Sequence, residues 1–148
     1  MPVSLAEAPT RHTVHASAVV WQDRGILIMG PSGSGKSDLA LRLIEAGAML
    51  VADDLVAVIR RDGALVARPV AMPGLIELRG QGIYRLPTSP EARLDLALRL
   101  APAGGTPRLP EPETTAILGV MLPTLAFDAH HVSAVARLRV ALAAERVA

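Results

Sequence analysis

The sequence predicts a single α/β domain, with a mixed central sheet and flanking helices, across its 148 residues. Three observations lead there. A short apolar run at 26–29 ends in Gly30-Pro31-Ser32-Gly33-Ser34-Gly35-Lys36-Ser37, which fits G-x-x-x-x-G-K-[ST] at every fixed position. An amphipathic helical pattern follows that loop directly. Period-two apolar segments lie before and after it, so strands surround a helix instead of forming a separate all-β unit.

Each element can be justified in order. Residues 1–11 read as a loose N-terminus. Val14, Ala16, Ala18 and Val20 alternate with His15, Ser17 and Val19, which predicts a half-buried strand. Asp23-Arg24-Gly25 predicts a hairpin turn. The run 26–29 is a buried strand feeding the glycine-rich loop. A helix is expected from near Gly35, with Leu39, Ala40, Leu43 and Ile44 on one face and Arg42 and Glu45 pointing away. Asp38 suits the positive end of that helix, and Gly47 ends it. Residues 49–52 form the next strand and run straight into Asp53-Asp54. A strand at 55–60 turns through Arg61-Asp62-Gly63 into 64–67.

Residues 69–74 read as irregular. The segment 75–78 leads into the polar turn Arg79-Gly80-Gln81-Gly82. Leu94, Leu96, Leu98 and Leu100 alternate strictly and predict a strand. Residues 101–112 hold four prolines and two adjacent glycines, and read as a mobile loop. A further strand is expected at 114–122. An amphipathic helix is expected at 132–146, with Val135, Leu138 and Leu142 along one stripe. The two helices are expected on different faces of the sheet.

Composition narrows the possible functions. A net charge of +1 argues against a nucleic-acid binder. The absence of cysteine rules out disulfides and thiolate metal sites. Residues 1–10 lack a basic start followed by an apolar run, and no apolar stretch reaches the ~18 residues a membrane span needs. A cytoplasmic protein without membrane contact is the expectation. Aromatic residues make up only 2%, so the core must be built from Leu, Val, Ile and Ala.

The chemistry concentrates at the loop. Of the 15 lysines and arginines, Lys36 is the one lysine. A compact ammonium on a flexible stem reaches nucleotide phosphates in a tight loop better than a planar guanidinium does. The backbone N–H groups of residues 32–37 would cradle phosphates at a helix N-terminus, and Ser37 would place its hydroxyl on Mg²⁺. A chance match to the motif has odds of roughly 1 in 200 in a chain of this length. Asp53-Asp54 is the second signal. The strands flanking the helix should be parallel and end on one sheet edge, bringing both carboxylates beside the loop. One would hold Mg²⁺ and the other would take a hydroxyl proton from an acceptor. Alone, Glu77 and Arg79 read as a surface ion pair, His15 as an ordinary strand histidine, and Arg108 as an exposed loop residue. His130-His131 is a poor metal pair, because adjacent side chains point apart and no third ligand is near.

In order, His15, the loop 30–37, Leu50-Val51-Ala52-Asp53-Asp54 and Glu77-Leu78-Arg79-Gly80-Gln81-Gly82-Ile83 resemble the catalytic domain of the HPr kinase/phosphorylase family, in a short form made of that C-terminal domain alone. The resemblance covers roughly residues 13–125 and is dense over 13–84. It implies an HPr kinase/PEP carboxykinase-like fold and an ATP- and Mg²⁺-dependent kinase acting on a serine of HPr, the phosphocarrier of the phosphotransferase system. It implies that Gly30, Pro31, Ser32, Gly33, Ser34, Gly35, Lys36 and Ser37 hold the nucleotide and that Ser37, Asp53 and Glu77 serve the metal. Asp54 would be the base, His15 would sit at the phosphoryl site, and Arg108 would match an arginine of a mobile active-site loop. It also implies a homo-oligomer, often a hexamer.

The sequence departs from the family pattern at several points. Ala16 follows His15 where the family has glycine, and the span from Asp54 to Glu77 is about two residues short. Leu109-Pro110-Glu111-Pro112 replaces the usual Arg-Leu-Gly. Residues 125–133 carry Phe127-Asp128-Ala129-His130-His131 in place of a Pro-Gly-Arg-Asn loop tied to dephosphorylation. Two other classes use such a phosphate loop: a small-molecule phosphotransferase, for whose folded lid the 101–112 loop is too short, and a non-catalytic ATP-binding regulator, which need not keep Asp54 and Glu77.

Overall fold

A computed structural model describes residues 10–148. Its strands are β1 (Arg11–Val14), β2 (Ala16–Trp21), β3 (Arg24–Met29), β4 (Met49–Ala52), β5 (Val56–Arg61), β6 (Ala64–Pro69), β7 (Leu75–Leu78), β8 (Gly82–Arg85), β9 (Ala92–Leu100), β10 (Glu113–Ile117) and β11 (Val120–Phe127). The helices are α1 (Lys36–Glu45) and α2 (Ala134–Ala143). A nine-stranded mixed sheet runs β1-β5-β6-β9-β3-β2-β4, with the β10–β11 hairpin joined through β11 to β9. The β7–β8 hairpin forms a separate two-stranded sheet.

The alternation of side chains explains how the sheet is covered. Val19, Trp21, Ile26, Ile28, Leu50, Leu98 and Leu100 point to one face, where Leu39 and Leu43 of α1 and Ala134 and Leu138 of α2 meet them. Ala16, Ala18, Leu27, Val51 and Ala97 point to the other face, against Val56, Val58, Leu65 and Ala67 of the β5–β6 wing. Both helices therefore share one core, correcting the expectation of a helix on each face. Strands do the covering on the second side. The same arrangement corrects the reading of β2 as half-buried: Ala16, Ser17, Ala18 and Val19 are all fully buried.

Turn chemistry sets several boundaries. Gln22 and Asp23 both have positive φ, at 53° and 60°, as a two-residue type I′ hairpin requires. The turn therefore falls one residue earlier than Asp23-Arg24-Gly25, and Gly25 lies within β3. Gly25 is needed there because a Cβ would stand 1.9 Å from the Arg93 carbonyl oxygen. Leu118 and Gly119 also have positive φ, at 51° and 76°. They split the expected single strand at 114–122 into β10 and β11. β8, hidden within a polar turn in the sequence, pairs with β7. The expected loose segment 1–11 lies outside the described residues up to residue 9. Thr10 accepts a hydrogen bond from the Arg60 N–H, and Arg11 already belongs to β1. Residues 101–112 form an irregular loop, as expected.

Sheet order also positions the site. β9 and β11 run parallel to β3 and to each other. β2 is antiparallel to both β3 and β4, so β3 and β4 point the same way with β2 between them. The carboxyl ends of β11, β9, β3 and β4 and the amino end of β2 therefore share one edge.

Gly25→Ala should destabilise the domain by at least about 2 kcal/mol by forcing β3 from β9. Urea denaturation of the two proteins measures it, and an unchanged midpoint would show that this close approach is not a constraint.

Candidate active site

The loop from Gly30 to Gly35 leaves β3 and enters α1. Gly33 and Gly35 adopt positive φ, at 80° and 99°. Gly30 is constrained by space: a Cβ there would stand 2.5 Å from Ser34 Oγ and 3.2 Å from Leu100 Cβ. Ser34 Oγ is buried without a hydrogen-bond partner. Lys36 is 8% exposed. Its Nζ donates to the carbonyl oxygens of Gly30 at 2.8 Å and Pro31 at 3.1 Å.

The expected meeting of loop and carboxylates is present. Ser37 Oγ donates to Asp53 Oδ1 at 2.8 Å, and so does Ser17 Oγ from β2, also at 2.8 Å. The Asp54 N–H points to Ser17 Oγ at 3.5 Å, a long contact. Asp54 holds a left-handed backbone, φ 68°, and its side chain is exposed. The two adjacent aspartates thus differ: Asp53 is engaged by two hydroxyls, while Asp54 faces outward. His15 is exposed at the bend before β2. It lies one residue beyond the Ala16–Met29 pair, at the level of Gly30.

Glu77 and Arg108 are both exposed, on β7 and in the 101–112 loop. Among the described residues Glu77 makes no hydrogen bond to Ser37 or Asp53, and no three His, Asp or Glu side chains converge as a metal cluster. A glycine-rich loop at the head of a helix, a buried ammonium and an orphaned hydroxyl fit a polyphosphate. The hard oxygens of Ser37 and Asp53 fit a magnesium ion.

Ser17 escaped the sequence reading. Its signal was a lone hydroxyl in an apolar strand, Ala16-Ser17-Ala18-Val19, where a buried polar group needs a partner. Asp128 escaped as well. The Gly104 N–H, donating to Oδ2 at 2.9 Å, holds its carboxyl below the ordinary range. Partial desolvation opposes this, and the His130 N–H, donating to Oδ1 at 2.9 Å, and the neighbouring imidazoles assist. At the stem of the same loop, Arg99 grips Glu113 with two bonds, Nε–Oε2 at 3.0 Å and Nη2–Oε1 at 2.6 Å. The Arg99 hydrogen bond keeps the Glu113 carboxyl low. His130 and His131 do point apart, as their adjacency suggested: His131 contacts Ser133 and Arg137 at the start of α2, while His130 lies beside the phosphate loop.

Such a loop, with a carboxylate-bound Ser37 at the head of a helix, has the form of an anion-binding site. The family model "HPr Serine kinase C-terminal domain" matches residues 6–89, and the chain belongs to that family. It is 44% identical over 75 residues to the HPr kinase/phosphorylase of Clostridium acetobutylicum, covering 50% of this chain and 25% of that protein. It is 41% identical over 83 residues to that of Brevibacillus brevis, covering 55% of this chain and 26% of that protein. The matched region thus spans about a quarter of the length of these relatives. A solved structure of the HPr(Ser) kinase/phosphatase from Coxiella burnetii superposes with a TM-score of 0.77 and 28% identity, over 88% of this chain and 87% of that one. The mixed α/β fold expected from the sequence is the fold of that structure. No helix among the described residues is long and apolar enough to cross a membrane.

Acidification should loosen the 101–112 loop. Asp128 and Glu113 have lowered folded pKa values, so their stabilisation is complete above the unfolded carboxylate range, about pH 4. It fades as pH falls through the folded values. In an NMR titration the Gly104 amide should shift only below about pH 4, and Asp128→Asn should abolish that shift. A Gly104 amide that titrates unchanged in the variant would disprove the tether.

Proposed function

We propose that this protein is an ATP- and Mg²⁺-dependent protein serine kinase whose substrate is HPr or an HPr-like phosphocarrier. The observation that carries the reading is the unequal aspartate pair beside the phosphate loop. Phosphoryl transfer asks little covalent chemistry of a protein; it needs a phosphate cradle, charge neutralisation and a placed base. The loop N–H groups and Lys36 supply the cradle. Ser37 and Asp53 are the residues that would hold magnesium, with Glu77 as a further ligand. Bound there, the ion would neutralise charge on the phosphates. Asp54, exposed and next to the Ser17–Asp53–Ser37 cluster, is the base. It accepts the serine proton while the serine oxygen bonds to the terminal phosphorus and the bond to the ADP leaving oxygen breaks. His15, level with Gly30, flanks the transferring phosphoryl group, and Arg108 approaches it from the loop.

Family membership and the names of the relatives support HPr as substrate. Transfer toward HPr is the direction proposed, because residues 125–133 carry no Pro-Gly-Arg-Asn. A cytoplasmic location accords with such a partner. Homo-oligomerisation belongs to the same reading and is supported by the exposed Met72, Ile83 and Tyr84 around the β7–β8 hairpin.

Purified protein, labelled ATP, Mg²⁺ and an HPr-type carrier provide the test, with the labelled residue located afterwards. Transfer to a carrier serine is expected. Asp54→Asn should keep nucleotide affinity and lower kcat by roughly 10²–10⁴-fold. Lys36→Ala should weaken ATP binding by at least roughly tenfold. Near-normal transfer by Asp54→Asn removes the base assignment. Label on a sugar or nucleoside, with none on the carrier, replaces the protein-kinase reading.

A further inference from the structure

A cleft of about 260 Å³ opens from the phosphate loop, lined on one side by residues 31–34 of the loop itself and on the other by Leu100, Ala101, Pro102 and His130. Its walls are the segments that leave the carboxyl ends of three parallel strands, β3, β9 and β11. Open sheets bind ligands in the crevice beyond such ends. The hydroxyl and carboxylate cluster lies on the other flank of the loop, since β2 and β4 extend the sheet away from β9 and β11. A polyphosphate held across the loop has its reacting end toward Asp54 and its other end toward this cleft.

We infer that the cleft receives the base and ribose of the nucleotide, and that His130 is the side chain that stacks on the base. This rests on the nucleotide reading above and adds to it the orientation of the ligand and a residue that selects it. Leu100 and Pro102 give the cleft an apolar wall. His130 is exposed, and its ring carbon Cε1 lies 3.8 Å from the point a Cβ would occupy on Gly35. The ring therefore stands at the mouth of the loop, where the sugar end of a bound nucleotide emerges. One carboxylate sets both walls: Asp128 receives the Gly104 N–H from the segment after β9 and the His130 N–H from the segment after β11. The volume falls just below the range of roughly 300–1,000 Å³ usual for ligand pockets, which suits a nucleoside.

Calorimetry with MgATP and with magnesium tripolyphosphate tests this on wild type, His130→Ala and His130→Phe. Wild type should bind ATP more tightly than tripolyphosphate. His130→Ala should weaken ATP on the order of tenfold while holding tripolyphosphate within about twofold, and His130→Phe should recover most of the loss because stacking tolerates any aromatic face. Equal wild-type affinity for the two ligands overturns the cleft assignment and leaves the phosphate loop standing. So does an alanine variant that weakens both ligands alike or neither. If wild type binds neither ligand, the nucleotide reading falls and this inference falls with it.

Discussion

One carboxylate oxygen joins three elements of this domain. Asp53 Oδ1, at the end of β4, accepts from Ser17 on β2 and from Ser37 in the first turn of α1. The bonds fix the start of the helix against the sheet edge, and so fix the mouth of the phosphate loop. They also determine what Asp54 can do. With Asp53 committed inward, the chain turns through a left-handed residue and presents the second carboxylate outward. Two identical side chains in sequence become one hydrogen-bonded anchor and one exposed carboxylate through this difference in partners.

Sheet order then lays the functional groups out along a line. Reading across the edge from β11 to β4, it meets His130, the segment after β9, the phosphate loop, His15 and the aspartate pair. β2 interposes between β3 and β4 without upsetting the arrangement, because an antiparallel strand brings its amino end to the edge where its parallel neighbours bring their carboxyl ends. His15 reaches this edge for that reason. With so few aromatic residues, the chain fills its two cores with small and branched side chains and a β5–β6 wing folded over the second face.

The phosphate loop, α1, β4 and the aspartate pair were legible because local signals coincide there: a glycine pattern, a helical period and an acidic turn after an apolar run. Leu118-Gly119 was not, because leucine rarely adopts positive φ and no Asn-Gly or Asp-Gly marks the hairpin. An Arg60 Nη1 donor on the Leu118 carbonyl, at 3.1 Å, comes from a distant strand that no local window contains. The full burial of β2 was hidden for a related reason, since the wing covering it lies some forty residues downstream in a separate hairpin. Ser17 and Asp128 depend on partners 36 and 24 residues away, so their roles emerge only when the sheet assembles.

The state of Lys36 ties these threads together. Its ammonium is buried, yet among the described residues it meets only the neutral carbonyls of Gly30 and Pro31. A buried cation held by dipoles alone is under-compensated, and a carboxylate placed nearby would relieve it. The two acids at the head of the helix are spent otherwise: Asp38 pairs with Arg42 and Asp53 with two hydroxyls. Among the described residues the Lys36 ammonium therefore has no carboxylate partner, and it shares its loop with the orphaned Ser34 hydroxyl. An anion with several oxygens can meet both groups at once, whereas a single carboxylate oxygen could meet only one.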